Sequence, residues 1–351
     1  MNILDKNLHV ILVFLLSFSS SVIAQSSIAT AIGTAGDIIV TFNDNKLTLW
    51  EKPETQDSWI SSSLPEKKDA FKAVATASSS TANIIVSLDV QNNIIIRRRT
   101  TGERSWAENR LTLPNHHDTY RLAAASGSRG DLVVASVGHQ MYLWQKSPDK
   151  AEWQESKSPS LRISAPIISL AAGTGKESDL IAAATATNIY ILQKLKNSAE
   201  WHIKEYSISG GGIISVSAST SSIGDFVAAC TTNAIYVWQQ NIDNKKWRLV
   251  KYRLPKKEKI STFSAARGSK GDILALLTTD DKLHVWQRTK EKALWQKQQL
   301  LNTLSEPSSH KELVSVSAAN SSYKQLIAVK TISGKVYTWK WLNDDEKKEG
   351  Q

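Results

Sequence analysis

Cysteine is almost absent from this chain. Cys230 is the only one among 351 residues, so no intramolecular disulfide can form. It stands in an apolar stretch between Ala229 and Thr231, which predicts a small buried hydrophobe and not a nucleophile. If the protein is exported, the lack of disulfides is more typical of a bacterial periplasm or of bacterial secretion than of a eukaryotic extracellular module.

Apolar runs long enough to cross a membrane are also lacking. The run Val10–Leu16 is too short to span a bilayer comfortably. Lys6 precedes it and Val22-Ile23-Ala24 follows, a pattern that predicts a secretory signal peptide in residues 1–24, cleaved after Ala24. An uncleaved anchor is the alternative. No Cys follows the run, which argues against a lipid-anchored lipoprotein, so we expect a secreted or periplasmic protein that is not an integral membrane protein after cleavage.

The familiar signatures of catalysis are missing as well. The chain has no Gly-x-Ser-x-Gly elbow and no phosphate-binding loop, and its pair Asp280-Asp281 falls where a hairpin turn is expected. The glycines at 210–212 precede a strand and not a helix, so no helix N-terminus would help them to hold a phosphate. The sequence therefore predicts a protein that is not an enzyme and that has no cofactor.

Negative charge is in deficit. The formal net charge is +10 and the isoelectric point is near 9.4, which favours anionic surroundings or partners. Nucleic acid is not expected, because an exported protein seldom meets it.

Tryptophan, in contrast, is plentiful and regularly placed. Eleven of the twelve fall into two series. The first series marks the end of a β-type run about every 47 residues, and Trp fills five of its seven positions. The second lies nine residues after each of the first six. The first positions are Trp50, Arg97, Trp144, Leu192, Trp238, Trp286 and Trp339; the second are Trp59, Trp106, Trp153, Trp201, Trp247 and Trp295.

Each copy of this repeat contains four short β-type runs. In the clearest copy they cover residues 213–219, 226–230, 234–239 and 247–254, separated by turn-forming residues. An acidic or amide residue, often preceded by Gly, opens the second run of each copy, as turn chemistry requires. These residues are Asp37, Asn83, Asp131, Asp179, Asp225, Asp272 and Gln325.

Seven such copies predict an all-β fold, a seven-bladed β-propeller of four-stranded antiparallel blades. The inner strands are rich in small residues and the outer strands carry charge. We expect the propeller to cover residues 25–341 and a polar C-terminal tail to cover 342–351. The last copy has only three runs, so we expect the last blade to be three-stranded once the signal is cleaved. By the spacing of the other copies, a strand that completes it would fall at Leu12 or Val13, inside the predicted signal.

The segment 260–288 resembles a WD-repeat blade, in which the third strand ends in an aromatic residue followed by a polar one. Gln239 and Gln287 stand where that family has Asp, and its Gly-His pair is missing, so the family's hydrogen-bonded network is expected to be absent. The alternating Ile235-Tyr236 with Trp247 is similar to tectonin-type propellers and bacterial propeller lectins. The resemblance covers roughly residues 27–341 and implies the propeller fold.

Two groups of residues are candidate binding sites on loops. His116, His117 and Asp118 lie in the predicted loop between the second and third blades. His139 and Asp281 lie in hairpin turns on the same predicted face. With no third His or Cys at ligand spacing, we predict no metal site here. The same positions also suit ordinary turns. His139 and Asp281 stand five residues before the first Trp-series position, where each copy has a tight hairpin that we expect to need a positive φ.

A second candidate is a basic rim formed by Lys245, Lys246, Arg248, Lys251 and Arg253, together with Arg97–Arg99 and the lysines that follow in the chain. Such a rim would attract anionic glycans or lipid headgroups, although a charge run is often only a solvated surface. The second Trp series allows two interpretations as well: packing between blades, or stacking on sugar rings.

The sequence thus favours an exported, non-catalytic propeller that acts as a protein-binding scaffold through one face of the disc. A lectin-like binder of glycans or anionic envelope lipids is the alternative, and a propeller hydrolase is the least favoured.

Overall fold

The computed structural model describes most of the repeat array. The described residues are 28–33, 36–43, 46–53, 58–64, 71–113, 120–156, 163–209, 212–221, 224–241, 246–254, 258–268, 271–289, 295–297, 313–320 and 324–342. The predicted signal, the loop residues His116, His117 and Asp118, rim residue Lys245 and the tail beyond residue 342 lie outside them.

The described residues form 27 strands in seven antiparallel sheets. Blade 1 contains β1 (Ile28–Gly33), β2 (Gly36–Asn43), β3 (Lys46–Lys52) and β4 (Ile60–Ser63); blade 2 contains β5 (Phe71–Ser78), β6 (Ala82–Asp89), β7 (Asn93–Thr100) and β8 (Ala107–Thr112); blade 3 contains β9 (Tyr120–Gly127), β10 (Gly130–Val137), β11 (Gln140–Lys146) and β12 (Gln154–Ser156). Blade 4 contains β13 (Ser169–Thr174), β14 (Ser178–Ala184), β15 (Asn188–Leu195) and β16 (His202–Ser207); blade 5 contains β17 (Ile213–Ser221), β18 (Gly224–Thr231), β19 (Ala234–Asn241) and β20 (Trp247–Arg253). Blade 6 contains β21 (Ile260–Gly268), β22 (Gly271–Thr278), β23 (Leu283–Thr289) and β24 (Gln296–Lys297); blade 7 contains β25 (Leu313–Asn320), β26 (Lys324–Thr331) and β27 (Val336–Leu342).

The predicted seven-bladed propeller is confirmed. Within each blade consecutive strands pair in order, from the inner strand to the outer one. Blade 7 has three strands among the described residues, as its sequence suggested, and β27 ends at Leu342. No helix of the described residues is long and apolar enough to cross a membrane.

Small residues on the inner strands make room for a central channel. All seven inner strands line it, and it encloses a cavity of about 610 Å³. Its walls include the alanines and serines expected there, such as Ala75, Ala123, Ala171 and Ser217.

Apolar side chains fill the junctions between blades. Each of the seven buried clusters joins strands of two adjacent blades, and the one between blades 4 and 5 contains Val216, Val227, Tyr236 and Trp238. The third strand of blade 5 is buried on both faces over 234–238, as its apolar sequence predicted. Because neither face of a blade is covered by its own strands, stability depends on the neighbouring blades.

Serine hydroxyls on the inner strands tie neighbouring blades together. In four successive junctions a serine Oγ accepts a hydrogen bond from a backbone N–H of the next inner strand. The pairs are Ser169 with Val216, Ser217 with Ala265, Ser264 with Ala318, and Ser317 with Thr30, at 3.0 to 3.1 Å. The last pair joins blade 7 to blade 1, and its two hydroxyls also lie 2.9 Å apart. The ring is therefore closed by the same bond that links ordinary blades.

We predict that Ser317→Ala lowers the free energy of unfolding by about 1 to 2 kcal/mol, because it removes both the bond from the Thr30 N–H and the bond between the two hydroxyls. Ser264→Ala, which removes one matching bond between blades 6 and 7, should cost about 1 kcal/mol. Chemical denaturation of the purified variants measures both. If Ser317→Ala lowered the free energy of unfolding several times more than Ser264→Ala, the junction of blades 7 and 1 would differ from the other junctions, contrary to this prediction.

Candidate functional site

The acidic row that opens the second strands is buried between blades. Glycine supplies the positive φ in front of it, as predicted, at Gly36, Gly130, Gly224 and Gly271. The carboxylates, however, do more than cap turns. Asp131, Asp179, Asp225 and Asp272 are all at most 5% exposed and accept hydrogen bonds from side chains.

A polar residue directly after the first Trp-series position reaches the next blade's Asp. Arg98 Nε donates to Asp131 Oδ2 at 2.8 Å, Gln145 to Asp179 at 3.3 Å and Gln239 to Asp272 at 3.1 Å, and Gln193 donates to Asp225. Four consecutive junctions, from blade 2 to blade 6, thus share one bond. The Gln that departs from the WD-repeat pattern is part of a different network, which links blades to one another.

Blade 6 holds the most highly charged version of this bond. Arg267, whose side chain is 3% exposed, and Arg288 both donate to the buried Asp272. Arg267 also donates to the backbone oxygen of Asp225 in blade 5 at 3.2 Å. The two guanidinium groups and the Asp272 carboxylate compensate one another's charge, which burial would otherwise make costly.

Burial raises the pKa of Asp179 and of Asp225, because desolvation outweighs the hydrogen bonds from Thr174 and Ser178, respectively. A carboxyl with a raised pKa in the folded state favours folding most when it is protonated. Its contribution is complete below its unfolded pKa, about 3.9, and is lost as the pH rises through the folded value.

We predict that Asp225→Asn, which places in blade 5 the amide that blade 2 carries as Asn83, removes part of this pH dependence. The stability of the natural protein relative to the variant should fall as the pH rises from about 4 toward neutrality. Denaturation at a series of pH values measures it.

Asp280→Asn is the control. The neighbouring Lys282 lowers the pKa of the exposed Asp280 to about 2, so its contribution is lost at acid pH and not on raising the pH. A relative stability of Asp225→Asn that is constant or reversed over the same range would contradict the assignment.

The two described loop candidates lie on separate blades. His139 is exposed in the hairpin of blade 3, where the positive φ of 59° belongs to Gly138 and not to His139 as expected. Asp281 has a φ of 60° in the hairpin of blade 6, beside an ion pair of 2.6 Å between Asp280 and Lys282. Blades 4 and 5 stand between them in the ring, so they do not form one site.

No group of three or more His, Cys, Asp or Glu side chains that suits a metal occurs within the described ranges. Cys230 is fully buried, as expected, and burial raises the pKa of its thiol to about 12.

The basic rim divides into an exposed part and a buried part. Lys246, Arg248, Lys251 and Arg253 are exposed at the outer strand of blade 5. Arg97–Arg99 are different, because they lie on a third strand and each pairs with an acidic side chain: Glu108, Asp131 and Glu51. The expectation that these three arginines join a solvated rim was wrong, since strand β7 is covered by the neighbouring blades.

The second Trp series lies at the blade junctions, and all six indoles are half-buried. Each packs against the apolar cluster that its blade shares with the preceding blade. Trp59 covers the junction of blades 7 and 1, Trp106 that of 1 and 2, Trp153 that of 2 and 3, Trp201 that of 3 and 4, Trp247 that of 4 and 5, and Trp295 that of 5 and 6. The rings therefore pack blades together and still present part of their surface to solvent.

One junction carries polar groups beside its indole. In the groove between blades 1 and 2, Arg97 occupies the position where five blades have Trp. Its side chain is 5% exposed and its Nε lies 3.3 Å from Glu108 Oε2. Its buried Nη1 has no hydrogen-bond acceptor among the described residues. We name Arg97, Glu108 and Trp106, with Arg99 stacked 4.6 Å over the Trp106 ring, the 1/2 groove.

One feature of the sequence, the Arg in place of Trp at position 97, marks this groove, but the repeat spacing alone does not show its role. Arg97 breaks the Trp series, but it stands in a run of three arginines, which suggested a solvated surface. Only the strand register, which opposes Arg97 to Glu108 across β7 and β8, distinguishes the two interpretations.

Comparison with known proteins finds similarity in fold. No family model and no curated protein matches the chain. The BP39L lectin from Burkholderia pseudomallei is similar over 91% of this chain and 96% of its own, at 12% identity and a TM-score of 0.64.

Two further solved structures are similar at a TM-score of 0.54. A chain of the mitotic checkpoint complex is 9% identical and covers 92% of this chain and 91% of its own. The SapL1 lectin in complex with alpha methyl fucoside is 12% identical and covers 82% of this chain and all of its own. The chain is thus a seven-bladed β-propeller whose fold is similar both to lectins and to a component of a protein complex.

Proposed function

We propose that the protein is a carbohydrate-binding propeller whose sugar sites are the grooves at the blade junctions. Two similar solved structures support this proposal, since both are lectins and one of them is in complex with a fucoside. The half-buried indoles also support it, because an aromatic ring at a recurring surface groove suits the apolar face of a sugar ring.

The 1/2 groove is the site with the most suitable chemistry. Binding pockets combine an apolar wall with a few polar groups that fix orientation. Here Trp106 supplies the wall, the Arg97 guanidinium supplies donors and Glu108 supplies acceptors. The observation that carries the proposal is the half-buried Trp106 indole beside the Arg97–Glu108 ion pair, which places an apolar wall next to charged donors and acceptors.

Arg99 stacks on Trp106 and pairs with Glu51 of blade 1. A sugar that stacks on the indole must displace this guanidinium from the ring, and the pair with Glu51 can hold Arg99 at the edge of the groove as it does so. Repetition of the indoles at six junctions would let weak sites act together on a multivalent glycan.

We predict that Arg97→Leu weakens sugar binding at least about tenfold, because a charge-assisted hydrogen bond is worth about 1.5 to 3 kcal/mol. Leu is the residue that blade 4 carries at this position, as Leu192, so the fold should tolerate it. A glycan array identifies the ligand, and calorimetry with that glycan measures affinity.

Arg110→Leu is the matched control. Arg110 also pairs with Glu108, at 3.0 Å, but its side chain is 52% exposed and lies on the outer strand. The Arg110→Leu variant should bind the glycan as the natural protein does. Equal binding by both variants and the natural protein would contradict the assignment of the 1/2 groove, and an empty glycan array would contradict the proposed function.

We also propose that the protein acts after export, in the periplasm or outside the cell, and that it has no catalytic role. The support for export is the apolar run Val10–Leu16 with its flanking residues. Intact-mass measurement of the exported protein should place the first residue at Gln25, and an N-terminus at Met1 would contradict cleavage.

A further inference from the structure

The outer strand of blade 5 is long and regular. β20 has seven residues, one more than β8 and β16, two outer strands whose neighbouring residues are also described. It pairs with β19 along its whole length, from Trp247 opposite Gln240 to Arg253 opposite Ala234. Its other edge is the end of the sheet, and such an edge offers backbone N–H and C=O groups to an added strand.

The charges on β20 are of one sign and make no ion pair within the described ranges. Arg248, Lys251 and Arg253 are exposed, and the strand contains no acidic residue. The comparable strands are balanced. On β8, Glu108 pairs with Arg110 and Arg97, and on β16, Lys204 stands next to Glu205.

Alternate residues of a strand point to the same face, about 6.8 Å apart. On β20 this places Leu249, Lys251 and Arg253 in one row. Leu249 is 47% exposed, which is high for an apolar side chain on an outer strand. The Lys251 ammonium lies 4.6 Å from the centre of the Tyr236 ring, and this contact helps to hold it in the row.

We propose that β20 is a docking edge for an acidic, extended segment of a protein partner, which adds to blade 5 as a fifth, antiparallel strand. The order of the row fixes the pattern of that segment. Read from its N-terminus, an acidic residue lies opposite Arg253, a second opposite Lys251, and an apolar residue opposite Leu249. Main-chain hydrogen bonds supply affinity and the alternate side chains supply specificity.

The same charges argue against a second copy of this chain as the occupant. Two β20 strands side by side would bring cations together without any acidic residue, which is how lysine and arginine on an edge prevent self-association. An anionic polysaccharide or lipid surface would use the cations but not the backbone edge. This surface is independent of the 1/2 groove, which lies between other blades.

The test uses the full-length protein and a fluorescent synthetic octapeptide in which two glutamates alternate with valine and precede a leucine. Fluorescence anisotropy should detect binding. The double variant Lys251→Glu with Arg253→Glu should weaken it roughly tenfold or more, and a peptide with lysines in place of the glutamates should regain affinity for that variant. Lys204→Glu, on the outer strand of blade 4, is the control and should bind as the natural protein does.

Backbone methylation separates strand addition from attraction between charges. A peptide with N-methyl groups on its pairing edge should lose binding, because its N–H donors are gone. Unchanged binding by the methylated peptide would overturn the proposal. Tighter binding of heparin or of anionic phospholipid vesicles than of the peptide, abolished by the same double variant, would assign the surface to those ligands and also overturn it.

Discussion

Packing between neighbouring blades holds this propeller together. A four-stranded sheet cannot cover its own faces, so each blade is stable only where the next one packs against it. Three kinds of contact join neighbouring blades. Serine hydroxyls bond to backbone N–H groups at the central channel, buried Asp side chains accept hydrogen bonds from the preceding blade, and half-buried indoles pack at the outer part of each junction. Packing between neighbouring blades is therefore the first explanation for a residue that recurs in each blade.

Packing between blades also explains how much the sequence could predict. Evenly spaced Trp and Gly-Asp turns predicted the number of blades, the strand order and the short last blade, because each depends on local pattern. The role of the residue after the first Trp series could not be predicted. Gln145 and Gln239 bond to an Asp in the next blade, about 33 residues further on, and that contact appears only when two blades are packed.

Departures from the repeat are where binding functions can be placed. Arg97 replaces an indole and leaves a buried guanidinium nitrogen without an acceptor among the described residues, whereas β20 concentrates cations on an edge that needs none for packing. The two surfaces suit different ligands. The first is a narrow groove with one aromatic wall, and the second is an open strand edge. The loop histidines at 116 and 117, which the sequence also suggested, lie outside the described residues.

A crystal structure of the protein with the monosaccharide of its best-bound glycan would show where the sugar lies on the propeller. We expect a sugar in the groove between blades 1 and 2, with its ring against Trp106 and a hydroxyl accepting from Arg97, and with the Arg99 guanidinium displaced from the indole. A sugar bound instead in the central channel or on the hairpins around His139, with Arg99 still stacked on Trp106, would contradict this expectation.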